Sequence, residues 1–237
     1  MEILLVGVVL GCFMAFFGAG AGSLTVPLAV HLLNMTYSEA SIAGLSVVLI
    51  SGAVNTVVVT RRGEINFRAA LPFLVLSIPA AIVVGYLMRN ASNTLTAILL
   101  AILLFTSSVS LFRRSKNDVP SASWKGWIGA ALAGSAAGAL GVGAGFVVIP
   151  ALRLISKLKM SVAVGTSSFV LAVNALSALA GKRVMPPTHT LFLGLAAGLG
   201  VLLAARFTQR INPLLRQRAL ATFLFIFAAV TLSDVLN

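Results

Sequence analysis

Only five acidic residues, Glu2, Glu39, Glu64, Asp118 and Asp234, occur in this 237-residue chain, and all fall in loops or at the ends of apolar segments. No two carboxylates are placed for general acid and base work, and none is available in the middle of an apolar segment. A single cysteine, Cys12, excludes an intramolecular disulfide and any cysteine-based metal spacing. In its apolar surroundings it reads as a small helix residue. The chain has no H-E-x-x-H and no nucleophile paired with a base, so an enzyme is not expected and no cofactor or metal is implied. Long polar stretches are missing too. The longest loop, Arg113 to Lys125, has about a dozen residues and leaves no room for a soluble domain.

What remains is apolar. Hydrophobic residues make up 59% of the chain, charged residues 9%, and the mean hydropathy is +1.06, far above what a soluble domain keeps in water. The chain reads as an all-α, multi-pass protein of the cell (plasma or inner) membrane. Its apolar segments fall at 3–34, 39–60, 69–88, 94–112, 126–152, 160–181, 187–205 and 217–233, most of them near the ~20 residues a spanning helix needs. The first opens with Glu2 where a secretory signal would be basic, so it is expected to stay in the membrane. The net charge of +12 does not point to nucleic acid, because the 17 Lys and Arg residues are spread over loops beside the segments. The lipid bilayer is the partner this composition implies, and nothing in it sets an oligomeric state.

A glycine-rich cluster occurs twice. Gly18-Ala-Gly-Ala-Gly-Ser-Leu-Thr-Val-Pro27 aligns on Gly141-Val-Gly-Ala-Gly-Phe-Val-Val-Ile-Pro150, with three glycines and a proline in register. The match continues through Gly44-Leu45-Ser46 on Gly165-Thr166-Ser167, Thr56 on Ser177, and Arg61-Arg62 on Lys182-Arg183. The chain therefore reads as a duplicated four-segment unit: an N-terminal membrane repeat over 1–114, a linker over 115–124 and a C-terminal repeat over 125–237.

The basic residues bear on the relative direction of the repeats, because cytoplasmic loops collect Lys and Arg. If all eight segments cross, one side carries 9 of the 17 basic residues and the other 8, which is no bias. If segments one and five return on the side they entered, loops 61–68, 113–125, 153–159 and 206–218 share one face with 14 basic residues. Only Arg89, Lys182 and Arg183 remain on the other face. That division predicts inverted repeats. Alternate glycines followed by proline are also poor material for one continuous helix, and broken helices in inverted repeats recur among secondary transporters. The competing reading makes the glycines packing surfaces between crossed helices, which suits Gly7, Gly11, Gly134 and Gly138.

The tandem clusters, each followed by a serine-bearing helix (AGLSVV, VGTSSF) that ends in a basic pair, resemble the TauE/SafE family of membrane transporters over essentially the whole chain. The resemblance implies export of a small sulfur-containing anion such as sulfite, thiosulfate or a sulfonate, and does not choose among them. This chain departs from the longer glycine runs common in the family at Ala19, Ala21, Val142 and Ala144.

With the basic residues peripheral, Arg153 and Arg206 included, a small anion must be held by dipoles. The candidates are the free N–H groups of half-helices beginning near Ser23 and Phe146, approached past Gly18, Gly20, Gly22, Gly141, Gly143 and Gly145 near the midplane. Ser46, Ser51, Asn55, Thr166, Ser167, Ser168 and Asn174 on the following helices are candidates to complete the shell, or to serve as interhelical hydrogen bonds. His31 and His189 are candidates for proton coupling or are simply solvated, and the coupling ion, proton or sodium, stays open. Trp124 and Trp127 read as interfacial anchors. A passive anion channel is the closest alternative; a structural assembly protein is a third.

Overall fold

The computed structural model describes residues 2–17, 22–113, 123–142, 145–156, 158–205 and 213–236. Among these residues it is wholly helical: α1 Glu2–Phe17, α2 Gly22–Leu33, α3 Tyr37–Arg61, α4 Phe67–Leu87, α5 Asn93–Arg113, α6 Ser123–Leu140, α7 Gly145–Ser156, α8 Met160–Lys182, α9 Thr188–Ala204 and α10 Pro213–Leu236. Three helices, Tyr37–Arg61, Phe67–Leu87 and Val162–Lys182, are long and apolar enough to cross a membrane, and shorter apolar helices pack beside them.

Local chemistry sets several of the ends. α3 starts on a capping box: the Thr36 hydroxyl accepts from the Glu39 N–H at 3.3 Å, and the Glu39 carboxylate accepts from the Thr36 N–H at 3.0 Å. At α4 the Asn66 side-chain oxygen accepts from the Ala69 N–H at 3.1 Å. α6 stops at Leu140, and Gly141 follows with φ 69, a left-handed conformation that favours glycine. Removing the α3 cap with Thr36→Ala is expected to cost about 1 kcal/mol. It should lower the unfolding temperature in detergent slightly while leaving transport intact. Lost transport in a folded Thr36→Ala or Glu39→Gln protein would show that this helix end belongs to the pathway.

Several helix crossings rest on small residues, which let backbones approach where lipid supplies no hydrophobic drive between helices. A Cβ on Gly11 would lie 1.9 Å from the Ala197 carbonyl, one on Gly134 2.1 Å from that of Ser77, and one on Gly138 2.5 Å from that of Ala81. Large apolar side chains also line the exterior: Leu191, Leu195, Leu199 and Leu202 lie exposed at helical spacing along α9, as do Leu71, Val75 and Ile82 on α4. An apolar exterior of this kind is the pattern of a bundle solvated by hydrocarbon.

These contacts fix chain direction. α1 and α9 run the same way, with Gly7 on Ala196 and Cys12 on Gly200. So do α4 and α6, with Gly134 on Ser77 and Gly138 on Ala81. α9 follows α3, with Gly194 on Ser46 and Gly198 on Val54, and α8 follows α4, with Asn174 on Ser77 and Gly181 on Ile82. α3 and α8 run oppositely, because Gly52 meets Ala172 while Val59 meets Gly165. α5 and α10 are opposed as well, with Phe105 on Phe225 and Ser108 donating to the Ala221 carbonyl at 2.9 Å.

Candidate functional site

The candidate residues gather on α2, α3, α7 and α8. Gly18, Gly20 and Gly143 lie outside the described residues; Gly22 and Gly145 are the first residues of α2 and α7, and Phe146 is the second residue of α7. Ser23, in the first turn of α2, is fully buried. Gly141 packs on α3 so closely that a Cβ there would lie 2.0 Å from the Ser41 carbonyl oxygen and 2.7 Å from its hydroxyl. Three residues on, Gly44 admits two neighbours at once. Its Cβ would meet the Gly141 carbonyl at 2.5 Å and the Val26 side chain of α2 at 3.0 Å. One glycine of α3 thus joins the helix that follows the first cluster to the opening residue of the second.

Of the candidate polar side chains on α3 and α8, Asn55 is half-buried and the others are buried, and several bridge helices. Asn55 donates to the Ser168 hydroxyl at 2.8 Å, and the Ser46 hydroxyl donates to the Ile42 carbonyl at 2.9 Å and to Thr190 at 3.4 Å. The Thr166 hydroxyl accepts from the Asn66 N–H at 3.0 Å. Ser167 donates to the Val164 carbonyl at 2.6 Å, and Ser51 donates to the Val47 carbonyl one turn back. Ser51 and Asn55 therefore share a helix face without sharing a partner. The Asn174 side-chain oxygen accepts from the Ser77 hydroxyl at 2.8 Å.

Among the buried groups without a hydrogen-bond partner in the described residues are the Thr25, Ser41 and Thr231 hydroxyls and the Asn174 side-chain nitrogen. Each can donate. A buried polar group left unpaired costs about 1–3 kcal/mol, so such groups at membrane depth call for a function. Sequence reading restricted to the clusters and the helix after each selects Asn174 and misses Thr25, Ser41 and Ser77. The available signal was a hydroxyl inside an otherwise apolar segment.

Tandem glycine clusters, an all-helical bundle with an apolar exterior and a buried donor beside Gly141 agree with the family comparison, in which residues 3–231 match the sulfite exporter TauE/SafE family. The chain belongs to that family. Among curated proteins, this TauE/SafE chain is 25% identical over 227 residues to a probable membrane transporter protein of Haemophilus influenzae, covering 88% of this chain and 86% of the relative. It is 20% identical over 204 residues to the probable membrane transporter protein YunE of Bacillus subtilis, covering 74% and 75%. No solved structure matches it significantly. It is a membrane transporter of the TauE/SafE type.

Proposed function

We propose that this protein is a secondary transporter that exports a small sulfur-containing anion, such as sulfite, thiosulfate or a sulfonate, across the cell membrane. Its two halves, 1–114 and 125–237, are inverted repeats, and the first segment of each turns back on the side it entered. Helix direction supports this. α1 runs with α9 and hence with α3, while α2, joined to α3 by three residues and touching Gly44 through Val26, runs against it. The corresponding helices α3 and α8 are opposed, as are α5 and α10. A pair of opposed halves puts 14 of the 17 basic residues on one face.

The observation that carries the reading is the meeting of Val26, Gly44 and Gly141 beside the unpartnered Ser41 hydroxyl. There the reading gives an anion the Ser41 hydroxyl and the N–H groups at the start of α2, and among the described residues no cation is buried beside it that would trap it. Binding by dipoles alone keeps the site weak enough to release its cargo. Flux into proteoliposomes, measured with sulfite, thiosulfate, sulfonates and small carboxylates with and without pH and sodium gradients, tests this. Saturable flux of a sulfur oxyanion, driven by one of the gradients, is the expected result. Unitary currents would make the protein a channel, and no anion flux would remove the proposal.

A further inference from the structure

Three basic residues stand apart from the 14 on the other loops, and the structure gathers all three at one end of the bundle. The Arg89 guanidinium carbon lies 4.7 Å from the centre of the Tyr86 ring and that of Arg183 lies 5.4 Å from the same point. The two guanidiniums are therefore within about 10 Å of each other, with one aromatic ring to orient both. Lys182, only 7% exposed, precedes Arg183, and its backbone nitrogen is 3.4 Å from the Cβ position of Gly85, the residue before Tyr86.

These cations have an ordinary task to account for first. α4 and α8 run the same way and both end here, and each helix C-terminus presents about half a negative charge. Two such ends offset roughly one of the three positive charges, leaving about two. Of the described carboxylates, Glu64 lies at the far end of α3, whereas Glu39 lies at this end but is engaged with Thr36 and, among the described residues, forms no ion pair with the three cations. Arg183 also sits in the left-handed region at φ 54, where a helix terminus ordinarily places glycine or asparagine. An arginine kept at that conformational cost points to a use for its side chain.

We propose that Arg89 and Arg183, both set on Tyr86, with the adjoining Lys182, form a second anion site where α4 and α8 end, which takes a tetrahedral oxyanion. Guanidinium forks match the oxygens of a sulfate or phosphate group. The group reaches the site as a free anion or as the phosphate of a lipid headgroup.

The purified full-length protein, after delipidation, is titrated with sodium sulfate by calorimetry and with phosphatidylglycerol by native mass spectrometry. An R89Q/R183G variant removes both guanidiniums while giving the left-handed position the residue it favours, so its unfolding temperature should not fall. R68Q, at the opposite end of α4, is the control. The expected result is binding of at least one ligand, weakened tenfold or more in R89Q/R183G and unchanged in R68Q. Sulfate binding identifies a free-anion site, and phosphatidylglycerol binding without sulfate identifies a headgroup site. Should R89Q/R183G unfold, K182Q is read in its place, with the same weakening expected. Binding of neither ligand by the wild type, or equal loss in R68Q, overturns the proposal.

Discussion

Replacing Gly141 with alanine should destabilise the protein by about 2–5 kcal/mol, the largest loss expected from adding a single methyl group. Two costs combine. A residue other than glycine in the left-handed region costs about 1–2 kcal/mol, and Gly141 has φ 69. The added Cβ would also lie 2.0 Å from the Ser41 carbonyl oxygen, so α6 and α3 must separate, and overpacking of that kind costs about 1–3 kcal/mol. Gly63 separates the two terms, because its φ of 68 is nearly the same while nothing lies within 4 Å of its Cβ position. Gly63→Ala should therefore show only the backbone cost. Thermal unfolding of both variants in one detergent is the measurement. Equal shifts would mean that the contact with Ser41 contributes nothing.

Leucine at Gly20 or at Gly143 should abolish anion binding and leave the unfolding temperature near that of the wild type. The argument is electrostatic and steric. Among the described residues no cation is buried beside α2 or α7, so on the proposed reading the anion depends on approaching backbone N–H groups, and a branched side chain at either position blocks that approach. The effect should be equal in the two halves, since inverted repeats contribute to one shared site. Binding is read by calorimetry with the anion that the flux panel selects. Normal binding in either variant would place the site elsewhere, and unfolding of both would make these glycines packing residues like Gly11 and Gly134.

The all-helical class was legible because hydropathy is a property of consecutive residues. The segment read at 39–60 is α3 over Tyr37–Arg61, and that read at 160–181 is α8 over Met160–Lys182. The ranges 3–34 and 126–152 each contain two helices, which a running hydropathy cannot separate because both members are apolar. Pairing across the bundle was not legible. Ser77 meets Asn174 across 97 positions and Asn55 meets Ser168 across 113, and no local pattern records such partners. Asn174 was singled out from its neighbours, whereas Ser77, in the segment after, carries no glycine motif to mark it. Arg89, Lys182 and Arg183 were likewise countable as a minority of the basic residues, but their gathering about Tyr86 depends on α4 and α8 running together.

The proposed opposite standing of the two halves in the membrane is what would allow both clusters to serve one anion, and side-specific labelling tests it most directly. In a Cys12→Ser background, single cysteines are placed at Asn34, Ser115, Lys159 and Met185, and intact cells are treated with an impermeant thiol reagent. Asn34 and Lys159 are exposed, and Met185 is 92% exposed. Cysteines at 34 and 185 should react in intact cells, while those at 115 and 159 should react only after permeabilisation. Labelling that puts 115 and 159 on opposite faces would mean that the α6–α7 segment crosses the membrane, and would contradict the inverted arrangement.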